Sequence, residues 1–409
     1  MESRNLLLKH GTLVSGGRSF ISDILISDGK IERIAEGIVP DEDTEVLDVT
    51  GYIVSYGLAD VHVHFREPGF SSKETIATGS AAAARGGYTT VCTMPNLSPA
   101  PDSPENLQVQ LDLIREQACI EVIPFATITT GRNGGPVVDM AALKDRVAGF
   151  SDDGSGVQWG KRMEEAMRLA AAEDVVISAH CEDENEAPFS AESEWKQVER
   201  DVVMAAQTAC RYHVCHVSTA ESVEAVRRAK AAGASVSCET APHYLVLTQE
   251  DRKDDGRFRM NPPLRTPADR DALIRGIQDG TVEVIATDHA PHTAEQKSRG
   301  YWKSAMGIVG LETAFAVLYS ELVLKGVISI EQLFELMSAN PRRIFRLGGT
   351  LAQGEKADIA VFDTDTEYVI DSSEFASMGK STPFEGWRVR GRCVLTLKDG
   401  KVVYRSIDK

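Results

Sequence analysis

Two histidines stand one residue apart in Asp60-Val61-His62-Val63-His64. On an extended strand side chains repeat every two residues, so both imidazoles face the same way and can clasp one metal ion. Other imidazoles and carboxylates recur in the same setting. His180 closes the apolar run from Val175, His216 closes the run from Tyr212, and Asp288 closes the run from Val284. Asp152 and Asp153 follow Gly149-Phe150-Ser151. An isolated histidine on an apolar strand is ordinarily a hydrogen-bonded core residue, but several histidines and acids at strand ends are hard to explain as packing. Together they point to a metal site.

Imidazole and carboxylate without thiolate suit zinc, with manganese or cobalt as substitutes. Zinc brings the pKa of water from ~15.7 to about 7, a stabilisation of bound hydroxide over water of roughly 12 kcal/mol. A nearby carboxylate can then move protons. Asp288 is placed to do so, to ligate the metal, or both.

The elements that carry these residues alternate apolar strands with amphipathic helices, as expected of βαβ units and a parallel sheet. Eight strands are expected: Leu58 to His64, Thr89 to Met94, Glu121 to Ile128, Val147 to Ser151, Val175 to His180, Tyr212 to Val217, Ser235 to Glu239 and Val282 to Thr287. The clearest helix is Glu74 to Arg85, with Ser71 and Glu74 as a capping box and Gly86-Gly87 as its end. Eight units suggest a (β/α)8 TIM-type barrel, with an open doubly wound sheet as the alternative. Both chain ends read instead as short strands, including hairpins at Asp28-Gly29 and Asp399-Gly400. We therefore expect residues 1–54 and 346–409 to combine into a small β-sandwich domain, and residues 55–345 to form the barrel.

Acidic residues outnumber basic ones, 61 to 44, among 409 residues, leaving a net charge of −17. Such a surface repels a phosphate backbone, which excludes nucleic-acid binding as the main role. An anionic substrate would require local positive charge in the site. No apolar run approaches the ~18 residues of a membrane helix, and the first residues lack a signal-peptide pattern, so the expected location is the cytoplasm. The seven cysteines contain no C-x-x-C pair and read as reduced, buried thiols.

Seven motifs in order carry a family resemblance. They are the stretch from Asp60 to Gly69, Met94-Pro95-Asn96, Asp152-Asp153-Gly154, His180-Cys181-Glu182-Asp183, His216-Val217-Ser218-Thr219, Met260 to Arg265, and Ala286 to His292. With Ala357-Asp358 and Thr382-Pro383-Phe384 near the C-terminus, the sequence resembles the bacterial dihydroorotases of the amidohydrolase superfamily. That resemblance implies reversible zinc-dependent cyclisation of N-carbamoyl-L-aspartate to L-dihydroorotate in pyrimidine biosynthesis, with metal-bound hydroxide as nucleophile. It implies His62, His64, His180 and His216 as metal ligands, and Asp288 as ligand and general acid/base. Asp153 would be the carboxylate that replaces the carboxylated lysine of many amidohydrolases. One or two zinc ions are implied. Arg66 and Asn96 would hold the substrate carboxylate, Asn261 the ring, and His292 would complete the grip.

The residues themselves agree on Arg66, since a position two beyond His64 shares the strand face of the histidine pair and a guanidinium can bind a carboxylate bidentately. A salt bridge from Arg66 to Glu67 or Glu74, and turn chemistry for Asn96, are the structural alternatives. The sequence departs from the family in a short His180 to His216 segment, in Tyr244 after His243, and in Ala305-Met306-Gly307 without a proline. The stretch from Thr293 to Gly307 is either a mobile loop hinged at Gly300 and Gly307 or an ordinary surface loop. Competing functions are another cyclic amidohydrolase, such as an allantoinase or dihydropyrimidinase, and a non-catalytic partner of aspartate transcarbamoylase. A homodimer is the expected assembly, symmetric pairs being commonest, with aspartate transcarbamoylase as the partner the resemblance offers.

Overall fold

The computed structural model describes residues 5–407. Strands from both ends of the chain hydrogen-bond into one eight-stranded sheet. Its order is Lys401–Arg405, Arg392–Lys398, Ile359–Asp363, Ile53–Tyr56, Leu6–Ser15, Arg18–Ser27 and Lys30–Ala35, with Glu45–Asp48 also paired to Leu6–Ser15. The two ends of the chain meet where Ile359–Asp363 runs antiparallel to Ile53–Tyr56, Val361 opposite Val54. Leu13, Ile24, Val54, Val361 and Leu395, drawn from both ends, share one buried cluster. Both Asp-Gly turns form two-residue hairpins, with positive φ at Asp28, Gly29, Asp399 and Gly400. Aspartate and glycine tolerate that left-handed backbone where bulkier residues do not.

Between the ends, strands and helices alternate. Leu58–Val63, Tyr88–Thr93 and Glu121–Pro124 form a parallel sheet, and Val176–Ala179, Arg211–Val214, Val236–Thr240 and Val284–Ile285 form another. Parallel bridges from Ala126 to Phe150, from Phe150 to Ile177, and from Val63 to His289 connect the two sheets at both edges. Each strand is followed by helical chain; the longer helices are Ile76–Arg85, Pro104–Gln117, Gly160–Ala172, Ala191–Thr208, Ala220–Ala231 and Pro267–Asp279. Every residue of Leu58–Val63 is buried, as expected of a parallel strand covered on both faces. No helix among the described residues is long and apolar enough to cross a membrane.

Several local expectations are corrected. The stretch 147–151 is not a regular strand. It is joined only by isolated bridges: Ala148 N–H to Pro124, Ala126 N–H to Gly149 and Ser151 N–H to Ala126 on one side, Phe150 N–H to Val176 and Ser178 N–H to Phe150 on the other. Gly149 is needed there because a Cβ would stand 2.6 Å from the Val176 carbonyl oxygen. The strand expected over 282–287 narrows to Val284–Ile285, and that over 121–128 to Glu121–Pro124. The capping box is formed by Thr75 and Thr78, not by Ser71 and Glu74. Glu74 instead lies buried, accepting bonds from the Ser377 hydroxyl and the Met378 N–H, so a tertiary contact overrides the local capping signal. The short segment between His180 and His216 holds one 18-residue helix, Ala191–Thr208.

Candidate metal centre

Of the residues singled out at strand ends, all but Asp152 arrive at one place. His62 and His64 come from the end of Leu58–Val63, His180 follows Val176–Ala179, His216 follows Arg211–Val214, Asp288 follows Val284–Ile285, and Asp153 lies just beyond Phe150. All six are buried. Positive φ at Arg66 (63°), His216 (35°) and Asp288 (48°) gathers backbone strain at this rim. Such conformations persist only where the surroundings enforce them.

Asp153 sits at the middle. Its Oδ1 is 3.4 Å from His62 Nε2, 3.6 Å from His180 Nδ1 and 3.6 Å from His216 Nε2, and its Oδ2 is 3.6 Å from His64 Nε2. Asp288 Oδ1 lies 3.1 Å from His64 Nε2 and 3.6 Å from His62 Nε2. His180 Nδ1 and His216 Nε2 face each other at 3.0 Å. Two groups of donors therefore share one carboxylate: His62, His64 and Asp153 on one side, Asp153, His180 and His216 on the other.

The far nitrogens explain why the near ones point inward. His62 Nδ1 donates to Glu239 Oε1 at 2.6 Å, His64 Nδ1 to Asn96 Oδ1 at 2.9 Å, and His180 Nε2 to Glu182 Oε2 at 3.1 Å. Each bond fixes the proton on the outer nitrogen and turns a lone pair toward the centre, which is how metal-ligating histidines are oriented. Glu239 also receives His213 Nε2 at 3.2 Å, and His213 Nδ1 reaches Ser237 Oγ at 2.8 Å. His62 Nε2 and Asp153 Oδ1 are buried without a hydrogen-bond partner. A divalent cation fits this donor set, because it would satisfy the inward imidazole nitrogens and the carboxylate oxygens at once.

Electrostatics express the same crowding. Burial works to raise the Asp153 carboxyl, yet the imidazoles of His62, His180 and His216 hold it well below the ordinary carboxylate range. Burial opposes a charged His180, but Asp153 and Glu182 lift it to about 9. Burial likewise opposes ionisation of Asp288, and His64 and His62 outweigh it, keeping that carboxyl low.

A cleft of about 180 Å³ opens beside these groups, and Arg66, Asn96, Asn261, His292, Met306 and Gly307 form its other side. The Arg66 guanidinium is buried, with Nε donating to the Pro291 carbonyl at 3.2 Å. Burial lowers it to about 10, so it remains charged. It makes neither of the alternative salt bridges: Glu67 accepts from the Ile76 N–H, and Glu74 is occupied by Ser377 and Met378. His292 Nε2 donates to the Met306 carbonyl at 2.7 Å, which leaves Nδ1 as an acceptor, buried and without a partner. Burial and then the neighbouring Arg66 push His292 down to about 3, so it is neutral. Asn261 Nδ2 donates to Glu182 Oε2 at 2.9 Å.

Asp152, the other acid of its pair, faces away from the cluster. Its carboxylate accepts the N–H groups of Ile128 and Thr129 and the Thr129 hydroxyl, bracing the turn that presents Asp153. The sequence reading missed Glu239, Glu182 and His213 as functional groups. Glu239 ends an expected strand at the same rim, so its position carried a usable signal.

A family model described as Dihydro-orotase-like matches residues 51–197. A dihydroorotase of Fusobacterium nucleatum is 47% identical across 99% of this chain and 99% of its own length. A dihydroorotase of Anoxybacillus flavithermus is 46% identical across 98% of this chain and 97% of its own. Among solved structures, an L-hydantoinase (dihydropyrimidinase) from Arthrobacter aurescens superposes with a TM-score of 0.90 at 26% identity, covering 98% of this chain and 96% of that one. A dihydropyrimidinase from Brevibacillus agri shares the fold with a TM-score of 0.88 at 24% identity, over 98% and 95% of the two chains.

Proposed function

The chain belongs to the dihydroorotase family, and on that premise we propose that it is a cyclic amidohydrolase interconverting N-carbamoyl-L-aspartate and L-dihydroorotate in pyrimidine biosynthesis. The observation that carries the substrate assignment is Arg66, a buried guanidinium without a carboxylate partner in a chain of charge −17, beside a nest of six metal-ligand candidates. It meets the need for local positive charge that an anionic substrate imposes.

In this reading His62, His64 and Asp153 would hold one divalent cation, Asp153, His180 and His216 a second, and Asp288 would complete the first; zinc suits the donors best. A bound cation supplies Lewis acidity for the amide carbonyl and activates water at neutral pH. Arg66 binds the substrate carboxylate, joined by the Asn96 Nδ2 donor that its bond to His64 leaves free. Asn261 Oδ1 is the acceptor left to meet a ring N–H, and His292, beside Arg66 on the cleft wall, completes the grip. In hydrolysis a water oxygen bonds to the ring amide carbon and the C–N bond breaks. Asp288, ionised, takes the water proton on a carboxylate oxygen and passes it to the departing nitrogen. Ring closure runs the same steps in reverse.

The bridges at both edges of the central sheets support a closed (β/α)8 barrel over residues 55–345, with these groups at the carboxyl ends of its strands. Residues 1–54 and 346–409, of which 1–4 and 408–409 lie outside the described residues, are assigned to the accompanying small β-sandwich domain, supported by the sheet that the described parts share. A homodimer, association with aspartate transcarbamoylase, and a cytoplasmic location belong to the same reading. Turnover measured side by side on dihydroorotate, allantoin and dihydrouracil tests it. Dihydroorotate should be strongly preferred, and preference for either neutral ring would contradict the assignment.

A further inference from the structure

Lys297 ends the short helix Ala294–Lys297, which Thr293 and Gln296 cap reciprocally. The side chain turns inward and is buried, with no carboxylate in ion-pair distance among the described residues. Burial and then the nearby Arg259 lower its amino group to about 7, and in its protonated form it donates to three main-chain carbonyls, Arg259 at 3.0 Å, Ala305 at 2.8 Å and Gly307 at 2.6 Å. An ammonium has three N–H donors on a tetrahedral nitrogen, so the three acceptors use all of them.

These carbonyls come from two neighbouring stretches of chain that both line the cleft. Arg259 stands two residues before Asn261, and Ala305 and Gly307 flank Met306, whose own carbonyl receives His292 Nε2. The stretches also touch directly through the Gly307 N–H and the Arg259 carbonyl at 3.0 Å. The Arg259 guanidinium rests on the Tyr301 ring, 5.3 Å from its centroid, and on Phe189 at 5.1 Å. Gly256 permits the approach, since a Cβ there would meet the Lys297 carbonyl oxygen at 2.1 Å. The stretch from Thr293 to Gly307 is thus folded around the lysine and tied to the chain that carries Asn261.

We infer that Lys297 is a positioning residue for the substrate. Its ammonium ties the stretch that carries Asn261 to the Met306–Gly307 stretch, and so places Asn261 and, through Met306, His292 for the substrate. The inference rests on the dihydroorotase reading of the cleft. Lys297 touches none of the six metal-ligand candidates, so its loss should act on substrate binding and not on the metal nest.

The test compares wild type with Lys297→Met and Lys297→Arg, reading kcat and KM for dihydroorotate, metal content, and hydrogen exchange of the Gly307 amide. Lys297→Met should raise KM at least tenfold, change kcat less than threefold, keep the wild-type metal content and speed Gly307 exchange at least tenfold. Arginine keeps the charge, but its planar fork cannot aim three N–H groups at these carbonyls. Lys297→Arg should therefore raise KM as well, and it carries the test if the methionine variant does not fold. A folded, metal-loaded variant with unchanged KM overturns the inference. So does a parallel loss of kcat and metal, which would make Lys297 a general structural support. A wild-type chain inactive on dihydroorotate would sink the functional reading alone. The Gly307 exchange would then decide the role of the ammonium: unaltered exchange in the variants refutes it, and accelerated exchange upholds the tie between the two stretches.

Discussion

Asp153 Oδ1 lies 3.4 Å from His62 Nε2, and each of these buried atoms lacks a hydrogen-bond partner. His62 Nδ1 donates to Glu239 on the other side of the ring, which leaves Nε2 facing Asp153 Oδ1. Burial opposes a charge on His62, but Asp153 and Glu239 hold it well above the ordinary imidazole range, so a proton fills this space in the metal-free protein and a divalent cation would take its place. The metal site therefore begins with a relationship in the protein itself, and the following outcomes depend on it.

Glu239→Gln removes the carboxylate that fixes the His62 tautomer while keeping the shape of the side chain. Metal affinity should fall roughly 10- to 100-fold, the usual cost of losing such an outer partner. Competition with a chromophoric chelator measures this directly. An unchanged affinity would mean that His62 is held without its Glu239 bond.

Asp288→Asn keeps an oxygen near His64 but removes the proton carrier. Turnover should drop by about 10²- to 10⁴-fold with metal content retained. Steady-state kinetics beside elemental analysis checks the pair of expectations, and near-normal turnover would refute the assigned role.

Arg66→Met deletes the buried guanidinium that faces the cleft. Charge-assisted hydrogen bonds contribute about 1.5–3 kcal/mol, so KM for dihydroorotate should rise on the order of 10- to 100-fold while zinc content stays constant. If KM does not move, the carboxylate is bound elsewhere.

His292 makes stability depend on pH. Burial and then Arg66 lower its folded pKa to about 3, against ~6.5 in the unfolded chain, so the unfolded state binds the extra proton first. Its contribution is intact above about pH 6.5 and is lost progressively as pH falls toward the folded value. At pH 5 the loss should be about 2 kcal/mol. Urea unfolding of metal-free protein at pH 7 and pH 5 measures it. A His292→Asn variant should show a pH dependence smaller by that amount, and an equal dependence in both proteins would contradict the assignment.

Much of the site was legible in the sequence because its chemistry is written at strand ends. His62, His64, His180, His216 and Asp288 each close an apolar run, and parallel strands bring their ends to one side. Arg66 reaches the cleft, but not by the strand period on which it was expected: the strand stops at Val63, and a left-handed backbone at Arg66 (φ 63°) aims the side chain. The partners that aim these groups were harder to see. Glu182 and Asn96 act through bonds to imidazoles, and Asn96 joins His64 from 32 residues away. Glu74 looked like a helix-capping residue until Ser377, some 300 residues later, claimed its carboxylate. The stretch 147–151 lacked a signal for its irregularity, because its backbone is shaped by close approach to Val176 and not by its own side chains.

The most direct test of the account is dihydroorotate hydrolysis by the isolated chain, assayed as purified, after exhaustive chelation, and after zinc is restored. Activity should disappear with the metal and return in proportion to the zinc bound. Full activity in metal-free protein, or a zinc-loaded and folded chain that leaves dihydroorotate intact, would contradict it.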